Sequence, residues 1–282
     1  MNTTLDYSGF DSPEFVAEKV GQSRSAQILN PSITPQGFSA SGFAVKKKNA
    51  EAVGFTPPTD WTLVEHEFKS GDKEEVYLTS SPRLVIVHRT PLYLRLRETG
   101  EMLGESSRVP DWYNNKSLYK IGSYVWVFVL DENDERCMAE PMLVALNGAS
   151  GASFNRKWLQ TKTDKKDRSG FCVEMEHAYA KATNQPHQEK GRLFHAHCIY
   201  CPKFQVEEVG TKPNTAYVSV VFDYEPGHIS KLIPPGSEFS NLIKISHEDK
   251  KNWQPSALLK KAVDGLESKN VNGCDDDDYP PY

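Results

Sequence analysis

Tyr124-Val-Trp-Val-Phe-Val-Leu130, followed by Asp131-Glu-Asn-Asp134 and then by Arg136 to Leu146, is the stretch that decides the fold class. Seven branched and aromatic residues, a polar turn and a second apolar run predict a β-hairpin. Upstream, Arg83-Leu-Val-Ile-Val-His88 and Leu92-Tyr-Leu-Arg-Leu-Arg97 predict a first strand pair broken at Pro91, with a further strand starting at Val76-Tyr77-Leu78. Downstream the pattern changes at Asn147-Gly-Ala-Ser-Gly-Ala-Ser153. A serine there can cap a helix over 153–162, and a second helix fits 170–183, before Asn184 and Pro186. A last strand pair, Leu193 to Val209 and Thr215 to Tyr224, is followed by a weakly periodic helix over 247–263. Strands, a helical insertion and more strands make an α+β grammar rather than the alternation of a parallel sheet. A β-rich core closed as an oligonucleotide-binding-like barrel with an inserted helical segment and flexible flanking arms fits this order, and a distorted sandwich fits nearly as well.

This reading divides the chain into an N-terminal arm with a short helix (1–42), a β-rich core (43–245) with its helical insertion near 152–184, a C-terminal helix (246–267) and an acidic disordered tail (268–282). The chain has 282 residues, 38% of them hydrophobic, or about 44% once glycine is included, enough for a sizeable core. Thirty-three Lys and Arg stand against 38 Asp and Glu, but four of those acids are the run Asp275 to Asp278. Without them the balance is 33 to 34, so the acidity sits at one end and the nearly neutral body argues against a purely charge-driven partner. The longest apolar run has seven residues where a membrane helix needs about 20, and the first residues lack a basic region followed by an apolar one. The expectation is a cytoplasmic protein without a membrane partner. Five cysteines, odd in number and irregular in spacing, suit a reducing compartment better than a disulfide framework.

Basic residues interleaved with aromatics are the main functional clue. Arg83, His88, Arg89, Tyr93, Arg95 and Arg97 fall in the first strand pair, with Tyr93, Arg95 and Arg97 on one strand face and Leu92, Leu94 and Leu96 on the other. Trp112, Tyr113, Lys116, Tyr119 and Lys120 are expected in the loop before the hairpin, and Arg156, Lys157, Trp158, Lys162, Lys165, Lys166 and Arg168 lie in the helical insertion. Single-strand binders need cations for phosphates and flat rings for bases. The expected groove is therefore Arg83, Arg89, Tyr93, Arg95, Arg97, Trp112, Lys157, Trp158 and Arg168. Each run alone reads first as a solvated helix face or loop, and it is the three together with an acidic tail that favour binding.

His195, His197, Cys198 and Cys201 have ligand chemistry, but on a continuous strand Cys198 faces away from the other three. Buried thiols and partly satisfied histidines are the simpler expectation, with no metal and no cofactor. The phosphate-loop, dinucleotide, nucleophile-elbow and HExxH motifs are absent from the sequence. Glu174 and Glu176 beside His177 read as part of an amphipathic helix as well as a metal nuclease site. No catalytic residue is assigned, and a non-enzymatic protein is expected.

The end of the chain, Asn272-Gly-Cys-Asp-Asp-Asp-Asp-Tyr-Pro-Pro-Tyr282, places four acids and terminal aromatics on an extended, proline-held peptide. It resembles the acidic tips of bacterial and phage single-stranded DNA-binding proteins, although those usually end in Pro-Phe. The resemblance implies that Asp275, Asp276, Asp277, Asp278, Tyr279 and Tyr282 dock on replication or repair proteins. A tail that only solubilises is the plainer alternative. Asn49-Ala-Glu-Ala-Val-Gly-Phe-Thr-Pro57, Ser81-Pro-Arg-Leu-Val-Ile-Val87 and Phe194-His-Ala-His-Cys-Ile-Tyr-Cys201 resemble an uncharacterised domain family of cyanobacteria and their mobile elements over most of 40–225, which implies a source and no chemistry. The function expected is single-stranded DNA binding in replication, recombination or repair, with a homo-oligomer as a possible form. The alternative is a structural or protein-interaction module of a mobile element that binds no nucleic acid.

Overall fold

The structure, a computed structural model, describes residues 25–255 apart from 32, 35, 36, 69, 70, 160–169, 212 and 213. In chain order the elements are β1 (Ser25–Leu29), β2 (Ile33–Thr34), β3 (Gly37–Phe38), β4 (Gly42–Lys46), α1 (Lys47–Val53), β5 (Thr62–Glu67), β6 (Lys73–Thr79), β7 (Arg83–Arg89), β8 (Tyr93–Leu96), β9 (Met102–Glu105), β10 (Tyr119–Leu130), β11 (Met142–Asn147), α2 (Gly148–Trp158), α3 (Phe171–Ala182), α4 (Arg192–Ala196), β12 (Ile199–Tyr200), β13 (Pro202–Thr211), β14 (Asn214–Tyr224) and α5 (Glu238–Lys250). A 3-10 segment, Trp112–Leu118, leads into β10.

Ten strands form one mixed sheet in the order β12-β7-β10-β11-β1-β4-β6-β5, with β8 and β9 branching from β10. Its two ends, β12 and β5, remain edges, so the described residues form an open α+β sheet and no closed barrel. The predicted hairpin is its centre: β10 and β11 pair antiparallel from Gly122↔Asn147 to Val127↔Met142. Asp131 holds the turn by accepting from the amides of Asn133 and Glu135, both at 2.9 Å. The expected second strand is shorter than Arg136 to Leu146, because its first residues make only an isolated bridge, Leu130↔Arg136.

The first strand pair needs correction. β7 and β8 do not pair with each other; both pair with the long β10, β8 with Tyr119 to Gly122 and β7 with Val125 to Leu130. At the step between them the Thr90 amide donates to the Tyr124 carbonyl, and the Tyr124 amide donates back to Thr90 Oγ1. Pro91 follows with no ladder hydrogen to lose. The expected arm over 1–42 is also corrected from residue 25 onward, since β1 lies inside the sheet, parallel to β11 and antiparallel to β4. The predicted short helix lies mostly outside the described residues.

Both helices of the insertion are present, but α2 starts at Gly148 rather than Ser153. Ser153 is buried within it, donating to the Ser150 carbonyl and accepting from the Val221 amide. Gly151 permits this packing, because a β-carbon there would stand 2.4 Å from the Leu146 carbonyl carbon. The segment expected as strand from Leu193 begins instead as α4, and β13 and β14 then form the predicted hairpin. Ser237 caps α5 by accepting from the Ser240 amide, and α5 starts ahead of the expected 246–267 helix and ends at Lys250; residues 256–267 of that expectation lie outside the described residues.

The sheet is covered on both sides. On the side of Ser123, α2, α3 and the β13–β14 hairpin enclose a cluster in which Tyr200 meets Phe154, Phe171 and Tyr224 at centroid distances of 5.4, 5.1 and 5.9 Å. On the other side α5 lays Phe239 against Phe128 at 5.4 Å and anchors His247 Nδ1 to the Val87 carbonyl at 2.6 Å. His88 is buried there, its ring 5.7 Å from that of His247. Burial, with the charges of His247 and Arg192, pushes its pKa down to about 4. The unfolded chain therefore takes up a proton that the folded chain refuses between about pH 6.5 and pH 4, so stability falls as pH drops through that window. Urea denaturation at about pH 7 and pH 5 should show H88Q losing roughly 2 kcal/mol less than the wild type over this interval; equal losses would place the pH sensitivity elsewhere.

Candidate nucleic-acid interface

The antiparallel register of β8 and β10 sets Arg95 directly opposite Lys120, so two cations share one face. Like charges directly opposite on neighbouring strands are destabilising. Along β10 the same face carries Gly122, Tyr124 and Trp126, because side chains alternate. Arg95 Nη2 donates to the Tyr124 hydroxyl at 2.5 Å, which confirms the shared face. Beyond the end of α5, Trp253 packs edge-on against Tyr124 at 5.3 Å and Trp126 at 5.8 Å, and Lys250 Nζ stands 4.6 Å over the Trp126 ring. Trp126 and Trp253 are both half-buried. Cations thus border an aromatic surface, as the binding of phosphates beside bases requires.

The 3-10 segment adjoins β10, with Tyr113 58% exposed and its ring 6.4 Å from that of Trp112. Acids are present at the margin: β9 sets Glu105 opposite Tyr93, and Arg108 lies 3.9 Å from Glu105.

Of the expected groove residues, Arg95 and Arg97 lie beside Lys120, and Trp112 is half-buried in the adjoining segment. Tyr93 is on the same strand face but only 7% exposed, so the expectation that its ring stacks on bases is corrected. Trp158 is 6% exposed within the main core and is likewise corrected as a surface ring, because the last turn of α2 points it inward. Arg83 sits at the other end of β7 and is bound by acids, pairing with Asp134 and lying 3.8 Å from Glu225. Arg89 faces the opposite side of the sheet, where its Nε donates to Asn155 Oδ1 at 2.8 Å. Lys157 lies in the last turn of α2 on that opposite side, and Arg168 falls outside the described residues.

Lys250 and Trp253 were absent from the expected groove because nothing in the local sequence ties the end of α5 to β10. Trp126 had a signal: it lies two residues beyond Tyr124 and six beyond Lys120, on one strand parity.

The histidine and cysteine block does not converge on one point. His195 Nε2 meets Glu176 Oε1 at 2.9 Å, whereas His197 donates through Nδ1 to the Leu193 carbonyl and meets Ser240 Oγ through Nε2 at 3.0 Å. The Cys198 thiol points to the Phe194 carbonyl, and burial holds its pKa far above the ordinary thiol value. Cys201 lies 3.5 Å from Lys231 Nζ, and burial pushes its thiol up to about 11 despite that ammonium group. Among the described residues, no three His, Cys, Asp or Glu side chains are grouped to hold a metal ion.

A family model described as a domain of unknown function, DUF5895, matches residues 25–254. The chain belongs to this family. No curated protein and no solved structure matches it. The DUF5895 match begins at β1 and ends just after Trp253, so the sheet, α5 and the whole cationic and aromatic face lie within the family's domain. The acidic tail lies beyond it.

Proposed function

We propose that this DUF5895 protein binds single-stranded DNA across the face formed by β8, β10 and the end of α5, and that its acidic C-terminus recruits replication or repair proteins. The observation that carries the reading is Arg95 opposed to Lys120 beside the Tyr124, Trp126 and Trp253 rings. Two cations on one face attract phosphates, and adjoining rings offer stacking to bases without sequence preference. The likeness to an oligonucleotide-binding domain then lies in a strand laid over a β-surface rather than in barrel closure. Asp275 to Asp278, Tyr279 and Tyr282 fall outside the described residues, and their role rests on the tail sequence. In the absence of DNA the aspartates compete for the cationic face as a phosphate mimic. The protein acts without catalysis in this reading, in the cytoplasm.

The test is fluorescence anisotropy with a labelled single strand of roughly 30 nucleotides and its duplex across a salt series, on the full chain and on a 1–269 truncation. Tighter binding to the single strand is expected, with log affinity falling linearly with log salt and the truncated chain binding several-fold tighter at low salt. No binding by either protein at low salt overturns the reading. Unchanged affinity on truncation at every salt removes the tail from it.

A further inference from the structure

The half of the sheet beyond β10 carries an apolar strip on the side where α5 lies. Residues paired directly across strands share a face, so Trp126, Leu143 on β11, Gln27 and Leu29 on β1 and Ala44 on β4 all point that way, and Leu78 on β6 continues the strip. Among the described residues, α5 packs on β7, while α1, which packs on β4, and α2, which packs on β11, lie on the Ser123 side, where Ala50, Val53 and Phe154 join the main core. Leu29, Ala44, Leu78 and Leu143 are nonetheless buried, Ala44 completely. Val64 and Phe68 pack against part of the strip from its β5 end, whereas Leu143 lies at the other end, on β11. Gln27 Nε2 is buried between the two ends with no hydrogen-bond partner among the described residues. A sheet face buried to this degree has a layer above it.

The exit from α5 points to that layer. The chain leaves α5 over β7, sets Trp253 on Tyr124 and Trp126 of the next strand, β10, and is buried again at Pro255, where the described residues end. It is crossing the sheet towards β11 and β1. The sequence that follows, Ser256-Ala-Leu-Leu-Lys-Lys-Ala-Val-Asp-Gly-Leu266, sets Leu258, Leu259, Ala262, Val263 and Leu266 on one helical stripe, with a capping residue at Ser256 and a stop at Gly265. Packed helices stand about 8–10 Å apart, which is two strand spacings of about 4.8 Å. A helix beside α5 therefore lies two strands from β7, over β11 and its neighbour β1. Residues 251–255 make the connection, within the roughly 2–8 residues usual between adjacent helices.

We propose that residues 256–266 dock as an amphipathic helix on the strip of Leu143, Leu29 and Ala44 and so complete the layer that α5 begins. The docking anchors the acidic tail beside the cationic face. Asp275 is nine residues beyond Leu266, a span of at most about 30 Å, and Lys120 and Arg95 lie one and two strands from β11. Competition of the tail for that face is then intramolecular, a consequence that rests on the DNA-binding reading above; the docking itself does not.

The experiment reads the cover directly, on the full chain carrying Q27C and C274S. Cys137, Cys172, Cys198 and Cys201 are buried, so a small maleimide, with the labelled site mapped by mass, reports on position 27. Labelling should be slow in the full chain. It should be at least tenfold faster when the chain is ended at Pro255, and equally so in L259S/V263S, which keeps the whole chain and carries the measurement should the shortened protein not fold. Deleting residues 1–24 or diluting the protein tenfold should change nothing. Labelling at one rate in the full chain and in L259S/V263S overturns the proposal. Labelling that speeds up only on deletion of 1–24, or only on dilution, also overturns it, giving the cover to the N-terminal segment or to a second copy. In anisotropy at low salt, L259S/V263S should bind a single strand several-fold tighter than the wild type. No DNA binding by any of these proteins, with the labelling pattern as expected, supports the docking and overturns the DNA-binding reading alone.

Discussion

Reversing Arg95 and Lys120 together to glutamate should lower single-strand affinity about a hundredfold at low salt while leaving the fold intact. Both side chains are half-buried at the outer end of β8 and β10, and no backbone pairing depends on them. Each reversal removes one phosphate contact and adds a repulsive charge, and a contact of this kind changes affinity roughly tenfold. The neutral pair R95Q/K120Q separates the two effects. It should bind more weakly than the wild type with a log-log salt slope shallower by about 1.4, because a single strand releases about 0.7 counterions per phosphate neutralised. Trp253 gives the complementary expectation: W253A should cost roughly 1–3 kcal/mol of binding through lost stacking and leave the salt slope unchanged. Anisotropy titrations checked by circular dichroism for an unchanged fold measure all three variants. If R95E/K120E binds as the wild type does, DNA does not lie on this face.

The sequence carried the strands better than their partners. Alternation and branched residues marked β7, β8 and β14 closely, since these signals depend on a local pleat, but only Tyr124 to Leu130 of β10, whose first five residues, Tyr119 to Ser123, read as loop because Lys120, Gly122 and Ser123 interrupt the apolar run. Pairing is not local. Nothing in the text around Pro91 shows that β7 and β8 take successive halves of one twelve-residue strand, and the open sheet follows from that branching. Ser25 to Leu29 is too short and too ordinary to announce a place between β11 and β4, so it read as part of an arm. Helix ends were misplaced where a tertiary contact outweighed a cap: Ser153 had the chemistry to cap α2 but bonds to Ser150 and Val221 instead. For the site, strand parity assigned Arg95 and Arg97 to one face, whereas Lys250 and Trp253 reach it only because α5 crosses the sheet. Composition alone could not separate Trp158, which is core, from Trp253, which is half-exposed beside cations.

Replacing Glu176 should be the most damaging single substitution in the helical layer. Its side chain is 3% exposed, and it accepts three donors: the Lys190 amide at 2.9 Å, His195 Nε2 at 2.9 Å and His187 Nε2 at 3.0 Å. Those donors come from the irregular segment after α3 and from α4, so a single carboxylate ties residues 187–195 to α3. The stacked rings of His177 and His187, 4.1 Å apart, extend the same contact to the surface. Truncation to alanine leaves three donors without an acceptor, two of them on histidines, and the cost should be about 3–4 kcal/mol, a large share of the roughly 5–15 kcal/mol that holds a domain folded. E176Q keeps the shape and one acceptor oxygen and should lose about half as much. Burial would raise the carboxyl pKa, but the Lys190 amide and the two histidines outweigh it and hold Glu176 below its ordinary value. Its contribution is therefore complete above the unfolded carboxyl value near pH 4.3 and is lost as pH falls through the lower folded value, a loss that E176Q should not show. Urea denaturation at neutral pH, with hydrogen exchange across residues 184–196, measures both the size and the place of the effect. An E176A protein within about 0.5 kcal/mol of the wild type, with unchanged exchange in that segment, would mean that packing rather than the carboxylate holds α4 in position.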